Sequence, residues 1–269
     1  MTNSMTDLDH IDAVANDMAQ AARDAILPLF RKPHLQTENK LVDGFDPVTE
    51  ADRAAERAMR NILSAGRPSD SVLGEEYGAK EGSSGLTWVL DPIDGTRGFI
   101  SGTPTWGVLI AVSDSDGPIY GLIDQPYIGE RFIGFAGSAS LTGPLGKRTL
   151  RTKQTKTLSE ATVLTTFPEV GDQKEGEAFH SVASKAKLTR YGMDCYGYAL
   201  LAAGQVDLVI EAGLQSYDIQ APIALVQAAG GIVTDWSGGP AHHGGRALAA
   251  ANTDIHAEAL RILRDYVDP

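Results

Sequence analysis

The stretch Trp88-Val89-Leu90-Asp91-Pro92-Ile93-Asp94-Gly95-Thr96 begins as an apolar strand and ends in two acids three positions apart. Proline fixes φ at about −65° and removes an N–H donor, so the strand has to turn at Pro92 and both aspartates can face one point. Gly95-Thr96 then reads as the start of a helix. The backbone N–H groups of both residues can hold phosphate oxygens there, and glycine lets the chain approach closely. Two further acidic points fit the same description: Gly74-Glu75-Glu76 ends the preceding strand, and Ser216-Tyr217-Asp218 stands just before a helix in the second half. Carboxylates gathered at element ends, in a chain with a single cysteine, are the donor set of a hard cation such as Mg²⁺ or Mn²⁺.

Taken singly, each point has a plainer reading. A lone Asp-x-x-Asp-Gly is more often a turn, and adjacent glutamates are more often a solvated pair. Asp218 alone reads as a helix N-cap, and Thr49 with Asp52 as a capping box.

Outward from this stretch, Ile11, Val14, Ala15, Met18, Ala22, Ile26 and Leu29 recur at helical spacing opposite Asp12, Asp17 and Asp24, predicting an amphipathic helix of about five turns. Arg31 to Asp46 shows no clean period and is expected to be a loop or irregular hairpin. A second helix starts at Thr49, with Ala55, Met59, Ile62 and Leu63 as its buried stripe. Strands over 71–74, 87–91, 106–113, 119–125 and 130–136 follow without helices between them, predicting a largely antiparallel sheet flanked by the two helices. Beyond about Leu150 strands at 161–166, 188–191, 206–211, 231–236 and 246–250 alternate with helices at 175–186, 196–203, 219–229 and 255–266. That alternation predicts an α/β layer with a mixed or parallel sheet. An α+β sub-domain over 1–146 and an α/β sub-domain over 147–269, with a cleft between them, are expected.

The 269 residues carry 35 Asp and Glu against 23 Lys and Arg, a net charge of −12, which argues against binding nucleic acid or anionic membranes. Cys195 alone permits no internal disulfide and no thiolate-rich metal site, so a reducing compartment, by default the cytoplasm, is expected. The start, Met1 to Asp9, lacks the basic and apolar run of a signal peptide. The longest uncharged apolar stretch, Ala221 to Val233, is far short of the ~20 residues that span a bilayer.

Together, Gly74-Glu75-Glu76, Trp88 to Thr96, Tyr217 to Pro222 and Ala229 to Trp236 resemble the inositol monophosphatase family of metal-dependent sugar- and polyol-phosphate phosphatases, over nearly the whole chain. Phe99 to Gly107, Gly121 to Phe132 and Asp194 to Leu200 resemble its histidinol-phosphate phosphatase branch. The resemblance implies an α/β fold, a layered α-β-α-β-α sandwich of the type shared with fructose-1,6-bisphosphatase. It also implies a homodimer, and two or three Mg²⁺ per active site with Mn²⁺ as a substitute. Glu75, Asp91 and the carbonyl of Ile93 would ligate a first metal and Asp91, Asp94 and Asp218 a second, so that Asp91 bridges; Glu76 would tune or weakly bind a third. The implied reaction is hydrolysis of a small phosphomonoester by in-line attack of a metal-activated water, oriented by Glu75 and Thr96, with Asp52 holding Thr96.

L-Histidinol phosphate, from histidine biosynthesis, is the expected substrate, and myo-inositol phosphate or a related sugar or nucleotide phosphate the alternative. The resemblance puts Glu211 against the substrate's polar body. Glu211 with Asp194 would complement an ammonium and an imidazole, and Tyr196 or Trp106 would pack on the ring. The plainer readings stay open: Glu211 as a strand-end acid facing solvent, Tyr196 as core packing, and Cys195 as a small apolar residue at a helix start rather than a nucleophile. Asp114-Ser115-Asp116 resembles the nucleophilic motif of another phosphatase class but runs into Gly117-Pro118 between two strands, so it reads as a turn. A metal-binding structural module is the non-enzyme alternative, and the intact ligand set with Thr96 argues against it.

Overall fold

The computed structural model describes residues 5–33, 35, 37–39 and 47–267; positions 34, 36 and 40–46 of the expected loop lie outside the described residues. Helix α1 (Met5–Ile26) has 22 residues, about six turns rather than five, and Leu29 lies in the turn beyond it. β1 (Thr37–Asn39) and β2 (Pro47–Thr49) pair antiparallel and lead into α2 (Glu50–Gly66). Thr49 caps α2. Its Oγ1 accepts from the Ala51 amide at 3.1 Å while Asp52 Oδ2 accepts from the Thr49 amide at 2.8 Å.

The first sheet holds β3 (Ser71–Gly74), β4 (Gly78–Lys80), β5 (Thr87–Asp94), β6 (Gly107–Asp114), β7 (Gly117–Gln125), β8 (Glu130–Phe135), β9 (Ser138–Gly143) and β10 (Gly146–Thr149), in the order β10-β9-β8-β7-β6-β5-β3-β4. All its pairings are antiparallel except β3 with β5. Helix α3 (Thr96–Ser101) stands between β5 and β6. The β9–β10 hairpin extends the sheet past the expected strands, so the division placed after Gly146 falls inside a strand.

The second sheet holds β11 (Thr162–Thr165), β12 (Leu188–Tyr191), β13 (Leu208–Leu214), β14 (Ile232–Thr234) and β15 (Gly245–Ala250), in the order β12-β11-β13-β15-β14. β11 runs parallel to both its neighbours and β15 antiparallel to both. Helices α4 (Gln173–Ala183), α5 (Asp194–Ala202), α6 (Ser216–Ala228) and α7 (Thr253–Leu263) alternate with these strands.

Side chains alternate across a strand, and here that alternation sorts the core into layers. Trp88, Leu90, Val108, Ile110, Val112, Tyr120 and Leu122 pack against α1 and α2. Their neighbours Val89, Leu109, Ala111 and Ile123 face the other way, onto α5, α6 and the near face of the second sheet through Leu164, Val209, Ala247 and Ala249. The far face, with Val163, Leu208, Ile210, Leu248 and Ala250, is covered by α4 and α7. The result is helices, sheet, helices, sheet, helices.

Two glycines set how deeply α6 sits in this stack. Gly121 of β7 and Gly134 of β8 are register partners. A Cβ at Gly121 would clash with the carbonyl oxygen of Ala221, and one at Gly134 would lie 2.5 Å from Leu225 Cα. The helix backbone therefore rests directly on the sheet, and α6 carries Asp218. Gly121→Ala is expected to lower the melting temperature by roughly 3–10 °C through overpacking. Thermal melts check this, and an unchanged melting temperature would show that α6 is not seated on that glycine.

Candidate active site

At the end of β5 the pairing with β6 slips between Asp91 and Asp94, a bulge at the Pro92 turn. Asp91 Oδ1 accepts from the Ile93 amide at 3.0 Å, which fixes its side chain inside that turn. Asp94 Oδ2 accepts from the Cys195 amide at 2.6 Å. Asp218 lies within the first turn of α6 rather than before it, and its Oδ2 accepts from the Gln215 amide at 2.7 Å. Asp91, Asp94 and Asp218 each present a carboxylate oxygen within 4.8 Å of the others. Burial first, then the fields of Glu75 and of each other, push Asp91 well above the usual carboxylate range. Burial, with the fields of Asp194 and Asp218, does the same to Asp94. One buried and two half-buried, mutually repelling and purely oxygen donors, they form a cluster able to hold a divalent cation.

Glu75 shares a hydrogen bond with Asp91. Its own amide donates to the Leu90 carbonyl at 3.2 Å, which keeps the segment beside β5. The following turn is held by Glu56, a fully buried residue of α2 that the sequence reading passed over. Glu56 accepts from the amides of Glu76 at 2.7 Å and Tyr77 at 3.2 Å, and from Arg60 Nε at 2.7 Å. Asp52 and Glu56 stand i, i+4 on the buried face of α2, and that spacing was the available signal.

Asp52 performs both roles expected of it. One oxygen closes the capping box, and Oδ1 lies 3.4 Å from the Thr96 hydroxyl, which also reaches the Ile93 carbonyl at 3.0 Å. Burial outweighs the Thr49 hydrogen bonds and raises Asp52 to about 6. Gly95 precedes α3 with φ 83°, a left-handed conformation that suits glycine. A Cβ there would lie 2.8 Å from the carboxyl carbon of Asp194. Asp194 itself takes φ 45° at the start of α5 and accepts from the Thr105 hydroxyl at 3.3 Å. Burial raises it to about 6 against that hydrogen bond and the field of Arg97.

Glu75, Asp91, Asp94, Thr96, Asp194 and Asp218 line a cavity of about 410 Å³ that Glu211 also lines. Glu211 does not face solvent: at 7% exposure it accepts from the Thr165 hydroxyl at 3.1 Å, the Thr166 amide at 2.7 Å and the Thr166 hydroxyl at 2.9 Å. Burial nevertheless lifts it to about 7. Cys195 also lines the cavity, and burial with the field of Asp94 pushes its thiol up, so it stays protonated.

Two expected ring contacts are corrected. Tyr196 is not among the lining residues; its hydroxyl donates to Glu130 at 2.6 Å and its ring meets Phe132 edge-on. Trp106 is fully buried against Phe30 and Phe99. The aromatic residues that do line the cavity include Tyr198 and Phe167, and the Arg97 guanidinium lies 4.8 Å over the Phe167 ring.

The chain matches the model of the inositol monophosphatase family over residues 7–268. It is 41% identical to the bifunctional phosphatase IMPL2, chloroplastic, of Arabidopsis thaliana, over 97% of this chain and 77% of that protein. It is 35% identical to a histidinol-phosphatase of Streptomyces coelicolor, over 95% of this chain and 98% of the relative. An inositol monophosphatase structure from Zymomonas mobilis superposes with a TM-score of 0.84 at 37% identity, covering 97% of this chain and all of that one. On its matched length, its layered fold and its acidic cluster, the chain belongs to the inositol monophosphatase family and is a phosphatase.

Proposed function

We propose that the chain is a magnesium-dependent phosphomonoesterase whose preferred substrate is L-histidinol phosphate, cleaved to L-histidinol and inorganic phosphate. The observation that carries this is the meeting of Asp91, Asp94 and Asp218 within 4.8 Å, in a cavity whose wall also presents Glu211 and Asp194. The donor set fits divalent cations, with Glu75 and the Ile93 carbonyl as further oxygen ligands. Bound there, such cations supply Lewis acidity and the positive field that a phosphate dianion needs to enter a cavity lined by six carboxylates and one guanidinium.

The chain's own residues do the rest. Glu75, hydrogen-bonded to Asp91, takes a proton from the attacking water. Thr96 directs its proton to Ile93 and Asp52, which leaves its lone pairs to orient that water. The Gly95 and Thr96 amides hold phosphate oxygens as a new P–O bond forms in line with the one that breaks, and the departing alkoxide is protonated by water. Glu211 and Asp194, both lifted by burial, gain most from a cationic partner, and histidinol phosphate brings an ammonium and an imidazole. An inositol phosphate brings neither. The name of the Streptomyces relative supports the same substrate. The homodimer, which comes with the family resemblance, and the cytoplasmic setting, which comes with the single cysteine, belong to this proposal.

The direct test compares kcat/KM for histidinol phosphate, myo-inositol 1-phosphate and fructose 1,6-bisphosphate with Mg²⁺ present and after EDTA. Histidinol phosphate is expected to lead, and EDTA to stop all turnover until Mg²⁺ is restored. A higher value for the inositol ester overturns the substrate, and hydrolysis that survives EDTA overturns the mechanism.

Asp91→Asn should cut phosphate release by at least about a hundredfold. The metal-free variant should nevertheless melt higher than the metal-free wild type, because the Ile93 hydrogen bond is kept while one crowded charge is removed. Calorimetry on both metal-free proteins decides this, and a lower melting temperature would mean that the carboxylate stabilises the resting fold.

Glu211→Gln should raise KM for an amine-bearing ester more than for a neutral one, since Gln can keep the Thr165 and Thr166 contacts but not the charge. Its pH signature has a definite sign. Glu211 binds its proton more tightly folded, at about 7 against an ordinary 4.5, so its contribution to stability is present at low pH and is lost as pH rises through about 7. Metal-free Glu211→Gln should therefore show a shallower decline in melting temperature between pH 5 and 8 than the wild type. Identical slopes would remove the buried-charge account of Glu211.

A further inference from the structure

Among the described residues, three buried side chains hold a polar atom with no hydrogen-bond partner: Trp106 Nε1, Tyr198 Oη and Asp207 Oδ1. Of the three residues, Tyr198 alone lines the cavity. It sits on α5 with 3% of its surface exposed, and its ring belongs to the core between the sheets. Burying a hydroxyl without a partner costs free energy, and a phenylalanine would fill the same space without that cost. Tyr196, two positions earlier, shows the ordinary solution, with its hydroxyl donating to Glu130.

The surroundings define what the hydroxyl is suited to meet. Glu211 heads the charged groups whose field reaches it, followed by Asp94 and Asp218. Those carboxylates and burial hold the phenol protonated, so it is a donor at any working pH. Glu211 already takes three donors from Thr165 and Thr166, and Asp94 takes the Cys195 amide. The cavity wall thus offers anionic acceptors for a cation and, beside them, a neutral donor to which the protein gives no partner.

We propose that the Tyr198 hydroxyl is a specificity-determining hydrogen-bond donor to the alcohol portion of the substrate, meeting the acceptor nitrogen of its imidazole while Glu211 and Asp194 face its ammonium. This rests on the histidinol-phosphate assignment above. A neutral imidazole carries one such nitrogen, and a site built to hydrogen-bond a group discriminates strongly against an analogue that lacks it.

Tyr198→Phe removes the hydroxyl and little else. The free protein should melt at the same temperature or higher, because no intramolecular bond is lost. With Mg²⁺ present, kcat/KM for histidinol phosphate should fall about tenfold, mainly through KM. For phosphoethanolamine, which keeps the amine and lacks the ring, it should change by less than about twofold. Added L-histidinol should raise the melting temperature of the wild type more than that of the variant, a binding readout independent of turnover. A lower melting temperature of the free variant, an equal loss for both esters, or an unchanged kcat/KM for histidinol phosphate each overturns the role. Wild-type enzyme that ignores histidinol phosphate overturns the substrate assignment and this role with it, whereas failure of the variant test alone leaves the substrate assignment standing.

Discussion

Three carboxylates with oxygens within 4.8 Å of one another, one of them only 2% exposed, repel each other strongly in a medium that screens poorly. The fold holds them there with backbone amides. Ile93 donates to Asp91, Cys195 to Asp94 and Gln215 to Asp218, and each of these amides belongs to the end of a strand or the start of a helix. Each anchored oxygen fixes the orientation of its carboxyl group. The amides come from three separate segments, so the cluster exists only when both sheets and the helices between them are in place.

The rest of the molecule treats buried charge differently. Asp124, fully buried in β7, pairs with Arg23 at 2.7 Å and with Arg131 at 2.8 Å, joining α1 to the sheet. Glu56 is matched by Arg60 and two amides, and Asp70 by Arg67 and the Trp88 indole. In those places an acid in the interior is met by a cation of the same chain. In the cavity, six carboxylates face one guanidinium. Asp124, Glu56 and Asp70 are balanced within the chain and the acids of the cleft are not, which marks that cleft as suited to a cation from outside.

Much of this was legible in the sequence because alternation and helical period are local signals. Five of the eight strands of the first sheet (β3, β5, β6, β7 and β8), the Thr49–Asp52 cap and the acids at strand ends could be read directly. The β9–β10 hairpin could not: β10 is exposed throughout and β9 shows only two buried positions, so neither has an apolar run to announce it. That Tyr198 lines the cavity and Tyr196 does not was hidden for a related reason. Residues two apart on a helix point to opposite sides, and only the phase of a polar face tells which side is which. α5 has no such face, since Cys195, Gly197, Tyr198, Ala199, Leu201 and Ala202 are all buried. Glu56 was within reach, one helical turn from Asp52 on the same stripe. The stacking of Arg97 on Phe167 was not, because it joins segments that only the finished fold brings together.

Under the proposed function this charge distribution implies an order of events. A chain of net charge −12, with six acids lining the cleft, would repel a phosphate dianion until cations occupied the cluster, so metal would precede substrate. Metals held by Asp91, Asp94 and Asp218 would invert the local sign there but not around Glu211, whose hydrogen bonds come from uncharged Thr165 and Thr166. The cavity would then be positive beside the proposed phosphate and negative beside the proposed alcohol. A zwitterionic ester carries its charges in that arrangement, whereas a polyol phosphate matches only the positive part. The proposed selectivity for an amine-bearing ester thus rests on leaving Glu211 without a cation of its own, at the cost of a carboxylate that burial holds near neutrality.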